Sequence, residues 1–331
     1  MNLRLLGKTG MKVSELCMGT MTFGRQCDEQ TSFAIMDQAA NGGVNFIDTA
    51  DVYPVPPGPD AWGKTEEIVG KWLKGKRQQF VLGSKCRQRV GLGANEEGLS
   101  PRHIILAVEA SLKRLNTDYI DLYQAHAPDP NTPLEVTLRA MEDLQRQGKV
   151  RALGCSNYPA WQVALAIGIA DKMGWSGWAT VQPRYNLLFR DIEGELLPLC
   201  REKNLAVLCY NPLAGGMLTG KYKTAEAPVE GTRFALGITG ELYRARYWHR
   251  ANVTEVARLK ELFQARGKSL TTAAVAWVLA QPGVTAAIIG ASKPEQLAES
   301  LQSTAFAWGE GEKEACDLAW HNLPRMPKPP A

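Results

Sequence analysis

The feature that most limits what this chain can become is a rhythm of short apolar runs separated by longer amphipathic ones. The runs are "ELCMGTM" (15–21), "VNFIDTA" (44–50), "FVLGSK" (80–85), "YIDLYQAH" (119–126), "VRALGCSN" (150–157), "ATVQPRYN" (179–186), "LAVLCYNPL" (205–213) and "VTAAIIGAS" (284–292). Each has the length and composition of a buried strand. Between them lie stretches with helical spacing of apolar residues, among them 31–41, 64–74, 102–115, 133–147, 159–173, 191–203 and 293–301. Alternation of this kind implies a parallel sheet with right-handed crossovers. Eight units favour a closed (β/α)8 TIM barrel over an open doubly wound sheet. One domain spanning 1–331 accommodates it, because barrels reach this length as single units.

The first strand-to-helix turn supports closure. "MGTMTFG" is followed by no G-x-G-x-x-G and by no acidic residue placed to hold a ribose, so a Rossmann unit is not indicated. Ahead of it, "LRLLGKTGMKVSEL" reads as two apolar arms around a turn at 7–10. That pattern predicts a β-hairpin covering the bottom of the barrel. After the seventh run, from Gly215 to Arg250, no periodic helix is read. Connections this long are functional or disordered, and "GGMLTGKY" within it points to a lid or cofactor cover. The proline-rich tail after His321 is expected to lie extended on the surface.

Composition removes several function classes. Lys+Arg 38 against Asp+Glu 34 leaves 38 − 34 = +4, without a basic run interleaved with aromatics, so no nucleic-acid surface is indicated. The seven cysteines are scattered, form no C-x-x-C, and read as reduced thiols. Four histidines without ligand spacing give no metal site. No stretch is apolar enough to span a bilayer and the N-terminus carries no apolar leader, which makes the cytoplasm the expected compartment.

A barrel builds its site at the C-terminal ends of its strands. The second run ends at Asp48 with Tyr53 just beyond, the third at Lys85 and the fourth at His126. Adjacent strands lie about 4.8 Å apart, so these four side chains can converge. A tyrosine next to an ammonium is expected to have a lowered pKa and to act as a general acid, with the carboxylate holding the lysine and the imidazole orienting a carbonyl. Taken singly, each has a plainer explanation: a strand-end acceptor, a packed aromatic, a surface lysine, a core histidine. Their coincidence at three successive strand ends favours chemistry. The assembly polarises and protonates a carbonyl, so a hydride must come from elsewhere.

The later runs end in a different set. Ser156 and Asn157 close the fifth and Gln182 the sixth, groups suited to a carboxamide or to loop capping. Tyr210 closes the seventh and offers a face to a flat ring. Gly215, Gly216 and Gly220 permit close backbone approach to a phosphate, with Lys221 as counter-charge. Beyond Gly290, Ser292 reads either as the N-cap of a box with Glu295 or, with Lys293, as a phosphate contact at a helix start.

These segments together resemble the aldo-keto reductase family over nearly the whole chain, in the branch of Tas-like proteins and potassium-channel β subunits. The resemblance rests on "RLLGKTGMKVSELCMGTMTFG", "GVNFIDTADVY", "SK" at 84–85, "SLKRLNTDYIDLYQAH", "GKVRALGCSN", "VQPRYNLL", "YNPLAGGMLTGKY" and "IIGASKPEQLAES". It implies a barrel that binds NADPH/NADP+ and reduces an aldehyde or ketone through a tetrad of Asp48, Tyr53, Lys85 and His126. It implies that Ser156, Asn157 and Gln182 hold the carboxamide and that Tyr210 stacks on the nicotinamide. Pro212, Leu213, Gly215, Lys221 and Arg233 would flank the pyrophosphate; Gly290, Ser292 and Lys293 would meet the 2′-phosphate, with Gln296 and Glu299 near adenosine. Ser300 stands where the family often has Asn. The proline-rich insert after Tyr53 is expected to wall the pocket, lined further by Phe23, Trp62 and Tyr158. The expected partner is a small carbonyl compound, with a homo-oligomer compatible; a nicotinamide-sensing regulatory subunit with slow turnover is the alternative, and a Schiff-base lyase using Lys85 a third.

Overall fold

The computed structural model describes residues 1–324 apart from 225, 227 and 229. Two strands, β1 (Leu3–Leu5) and β2 (Lys12–Ser14), pair antiparallel. Eight more follow: β3 (Leu16–Gly19), β4 (Phe46–Asp48), β5 (Val81–Cys86), β6 (Ile120–Ala125), β7 (Val150–Ser156), β8 (Trp178–Gln182), β9 (Ala206–Cys209) and β10 (Val284–Gly290). They form a closed barrel in the order β10-β3-β4-β5-β6-β7-β8-β9, every contact parallel. This is the (β/α)8 TIM barrel, and each of its strands falls within or beside one of the eight apolar runs.

Closure follows from burial on both faces. Outward residues such as Leu82, Tyr123, Leu153 and Val181 are buried under the surrounding helices. Inward ones form a separate inner layer of Cys17, Phe46, Leu122, Ala152, Ala206, Leu208 and Ala286, capped from below by Leu6 and Val13 of the hairpin. A side chain at Gly7 would meet Ala179 O at 2.6 Å, and its φ is +56°, so glycine there lets the turn lie flat against the barrel floor. The hairpin therefore plugs the bottom, as its pattern predicts.

The excursion after β9 differs from expectation. A helix runs over Gly237–Tyr247 and another over Arg250–Gln264, after short 3-10 turns at Ala214–Thr219 and Arg233–Ala235. The first of these helices has no side-chain cap, and Ile238 and Leu242 on it are exposed, so its sequence carries no clean apolar stripe. An aromatic cluster holds it down: Phe234 packs on Tyr222, Tyr243 and Trp248. Most of the proline-rich tail lies outside the described residues. Among the described residues no helix is long and apolar enough to cross a membrane, and no group of His, Cys, Asp or Glu is arranged to hold a metal ion.

Candidate active site

Asp48, at the end of β4, is fixed through its backbone before its side chain does anything. Its carbonyl accepts from Thr20 N–H at 3.1 Å and from the Thr20 hydroxyl at 3.0 Å. The chain then turns: Thr49 N–H donates to Gly83 O, Asp51 N–H to Lys85 O, and Tyr53 N–H to Ala50 O. Those bonds bring Tyr53 back over the barrel mouth. Parity along β5 turns Ser84 and Cys86 towards the helices and Lys85 inward.

Lys85 is fully buried. Its ammonium donates to Asp48 Oδ2 at 2.5 Å and to Thr49 O at 2.7 Å. It also lies 5.1 Å from the centroid of the Tyr53 ring. His126 meets that ring edge-on, centroids 5.8 Å apart. The four predicted residues are thus assembled in one place. Burial pulls the Lys85 pKa down, but the Asp48 charge and hydrogen bond, with Tyr53, outweigh it and the net shift is upward. The amine stays charged. Burial and the Lys85 charge, with Arg87 behind them, hold His126 well below the usual histidine range, so its ring is neutral at pH 7; its Nδ1 is buried without a partner.

The expectation for Tyr53 itself is reversed. Burial raises its pKa, Lys85 lowers it and Asp48 raises it again, leaving it pushed up to about 12. Desolvating a phenolate costs more here than one ammonium, already shared with Asp48, returns. Tyr53 is therefore a firmly protonated donor rather than one poised to ionise.

The other predicted residues form a chain of hydrogen bonds around the mouth. Tyr210 O–H donates to Asn157 Oδ1 at 2.8 Å; Asn157 Nδ2 donates to Ser156 Oγ and to His126 O; Ser156 O–H donates to Gln182 O. Gln182 Nε2 then donates to Asp48 Oδ1 at 2.8 Å. Gln124, which sequence reasoning missed, adds a 3.3 Å bond to the same oxygen. Its signal was available: it stands two residues before His126 in the same apolar run, on the face of β6 that looks inward.

Opposite lies a cationic rim. Gly215 and Gly216 have φ of +70° and +95°, and a Cβ on Gly215 would strike Tyr243 at 2.5 Å. Lys221 and Arg233 stand close enough that burial and then the arginine's charge lower the lysine pKa. Arg233 reaches across the mouth to Met21 Sδ at 3.5 Å. Pro212 is buried and Leu213 half-buried beside them, and Gly290 ends β10 at the surface. Lys293, not Ser292, is the N-cap of the helix Pro294–Leu301 and makes no side-chain cap bond. Gln296 instead accepts from Ser292 N–H at 3.0 Å, so the box expected between Ser292 and Glu295 is displaced by one position. Glu299 accepts from the Ser269 hydroxyl, binding two helices together, and the Ser300 hydroxyl turns back to Gln296 O.

Two pocket expectations fail. Phe23 is 0% exposed, and Tyr158, 5% exposed, packs edge-on against Trp178 with centroids 4.8 Å apart. Both aromatics point into the core between barrel and helices. Trp62 stays partly exposed in the insert. That insert is tied to the loop after β3 by Val55 N–H to Met21 O and by Arg25 on both oxygens of Asp60.

Fold and site define a (β/α)8 barrel with a Tyr–Lys–Asp–His cluster at its mouth. Residues 15–320 match the profile of the Aldo/keto reductase family, and the chain belongs to that family. It is 39% identical to the uncharacterized oxidoreductase YrpG of Bacillus subtilis, over 91% of this chain and 90% of that one. It is 36% identical to a probable voltage-gated potassium channel subunit beta of Arabidopsis thaliana, over 92% and 91%. With protein Tas of Escherichia coli it shares 34%, over 89% and 90%. Membership brings oxidoreductase chemistry at carbonyl groups and, in general, a nicotinamide cofactor.

The mouth fits such a cofactor. Lys221 and Arg233 meet no carboxylate at salt-bridge distance among the described residues, Gly216 beside them has no neighbour nearer than 3.9 Å to a built Cβ, and Asn211 Nδ2 is buried without a partner. Two cations without a carboxylate partner among the described residues, beside the open backbone of Gly216, suit a pyrophosphate.

Proposed function

We propose that this protein reduces an aldehyde or ketone to the alcohol with NADPH, Tyr53 delivering the proton to the carbonyl oxygen. The observation that carries this reading is the fully buried Lys85 held between Asp48 and the Tyr53 ring. When bound, reduced nicotinamide supplies the hydride. Burial keeps Tyr53 in the protonated form that a donor needs. Neutral His126 offers a ring nitrogen that orients the carbonyl oxygen without competing for that proton. Lys85 keeps a positive charge beside the oxygen as Tyr53 gives up its proton, and Asp48 with its amide donors keeps Lys85 in position.

Ser156, Asn157, Gln182 and Tyr210 would hold the nicotinamide, Pro212, Leu213, Gly215, Lys221 and Arg233 the pyrophosphate. Gly290, Ser292 and Lys293 would favour NADP over NAD, with Gln296 and Glu299 towards adenosine. In this reading the partner is a small carbonyl compound, without nucleic acid or membrane, and homo-oligomers are compatible. The seven cysteines, free and buried, suit a reducing cytoplasm.

The test is NADPH oxidation with a panel of aldehydes, ketones and keto-sugars. Tyr53→Phe should lower turnover about 10²–10⁴-fold, the usual worth of a general acid, while NADPH binding stays close to normal. Unchanged turnover would remove Tyr53 from the acid role. The 36% identity to the probable channel subunit supports a second reading, a nicotinamide sensor. Tight NADPH binding with no turnover across the panel favours it.

A further inference from the structure

Strand β5 carries a second cation to the mouth. Two residues beyond Lys85, Arg87 leaves the strand with φ +136°, a region that residues with side chains rarely adopt. Register pairs Lys85 with Gln124 and Cys86 with Ala125. His126 N–H donates to Cys86 O at 2.9 Å, so Arg87 comes level with His126 at the lip.

The guanidinium is half-buried, and its bonds are long and to neutral acceptors: Nε to Pro128 O at 3.3 Å and Nη1 to Gln88 Oε1 at 3.4 Å. Among the described residues no carboxylate stands within salt-bridge distance of it. Asp129, the acid of the adjoining loop, accepts from Leu99 N–H, Asn131 N–H and the Thr132 hydroxyl; burial raises its pKa, and those bonds with, last, the Arg87 charge bring it below the usual value, so Arg87 acts on it at a distance without an ion-pair contact. Two other cations near the mouth are paired. Lys85 is paired with Asp48 and Arg25 with Asp60, while Lys221 and Arg233 belong to the excursion after β9. An arginine fork has five donors and suits two-oxygen anions through parallel bonds. Here most of the fork is uncommitted, one register step from the imidazole.

Resting on the reductase reading, we propose that Arg87 is a specificity-determining residue. It receives an anionic group, carboxylate or phosphate, of a small substrate whose carbonyl lies between Tyr53 and His126. The preferred substrates are then oxo-acids or phosphorylated carbonyl compounds rather than neutral aldehydes.

Three probes of one shape test this: 4-formylbenzoate, 4-formylphenyl phosphate and the neutral methyl 4-formylbenzoate. Each is titrated by calorimetry into the protein holding NADP+, and each is offered with NADPH for turnover. At least one anion should bind about 10–100-fold more tightly than the ester, the worth of a charge-assisted bidentate pair. That ratio should fall to about one in Arg87→Met and be partly kept in Arg87→Lys. Neither change adds strain, because both retain a Cβ, and a ratio within one variant cancels any general loss of folded protein. A preference for formylbenzoate assigns a carboxylate, and a preference for the phenyl phosphate assigns a phosphate ester. Equal binding of all three by the unaltered protein, or a preference that survives in Arg87→Met, overturns the proposal. An Arg87-dependent binding ratio without turnover of any probe upholds the anion site and favours the sensor reading over the reductase one.

Discussion

Replacing Lys85 with methionine separates what the buried cation does for stability from what it does for chemistry. The volume is largely kept, while the bonds to Asp48 Oδ2 at 2.5 Å and Thr49 O at 2.7 Å are lost. Asp48, 3% exposed, then retains only Gln182 at 2.8 Å and Gln124 at 3.3 Å on its other oxygen. Stranding one member of a buried ion pair costs about 3–5 kcal/mol, and the two remaining amide donors place this case near the lower end, about 3 kcal/mol. Adding Asp48→Asn removes the stranded charge and should restore about 2 kcal/mol of that loss. Turnover should stay abolished in both, because Tyr53 has lost the ammonium that opposes its burial. Urea unfolding at pH 7, followed by tryptophan fluorescence, gives the stabilities; NADPH oxidation gives the activities. A double variant no more stable than Lys85→Met would refute the reasoning, since the stranded charge would then not be the source of the loss.

Two further expectations concern groups that the chemistry does not use. Asp51 is buried with neither carboxyl oxygen bonded, and burial, then the Glu66 charge, hold its pKa well above the ordinary carboxylate value. Its stability contribution is then full below about pH 4 and is lost as pH rises through the folded value. Asp51→Asn should therefore gain on the unaltered protein between pH 4 and pH 7, and an unchanging gap in urea midpoints would contradict this. At Gly70 an added Cβ would stand 2.5 Å from Arg114 O and 2.7 Å from Leu115 C, whereas at Gly168 nothing lies within 4 Å. Gly70→Ala should cost about 1–3 kcal/mol or more, and Gly168→Ala, mid-helix, should add about 0.5–1 kcal/mol. Melting temperatures moving in the same direction would count against that assignment.

The barrel was legible because a doubly buried strand must be apolar on both sides, and eight such runs survive in the sequence. The cluster at the mouth was legible for a related reason: Asp48, Lys85 and His126 each end an apolar run where a polar residue needs a purpose. What escaped depends on direction and desolvation. Phe23 and Tyr158 flank the predicted site in sequence, yet only the packing reveals that both turn towards the helices. The helix Gly237–Tyr247 begins at a glycine and exposes Ile238 and Leu242, so no periodicity announced it. For Tyr53 the cationic neighbour was visible in sequence, but the cost of burying a phenolate was not. Arg87 drew no notice in the sequence because nothing in one dimension shows that it has no ion-pair partner among the described residues.

The hydrogen bond from Gln182 to Asp48 bears on when, during synthesis, the site can be completed. The four reactive side chains are all synthesised by residue 126, but their dry surroundings are not. Asp48 waits for an amide from β8, and the sheet closes only when β10, the last strand made, joins β3. Without β10 the sheet would have an open seam between β9 and β3, and a nascent chain would carry the reactive groups without the closed barrel around them. A fragment ending before Val284 would contain every reactive group and still have no closed barrel around them.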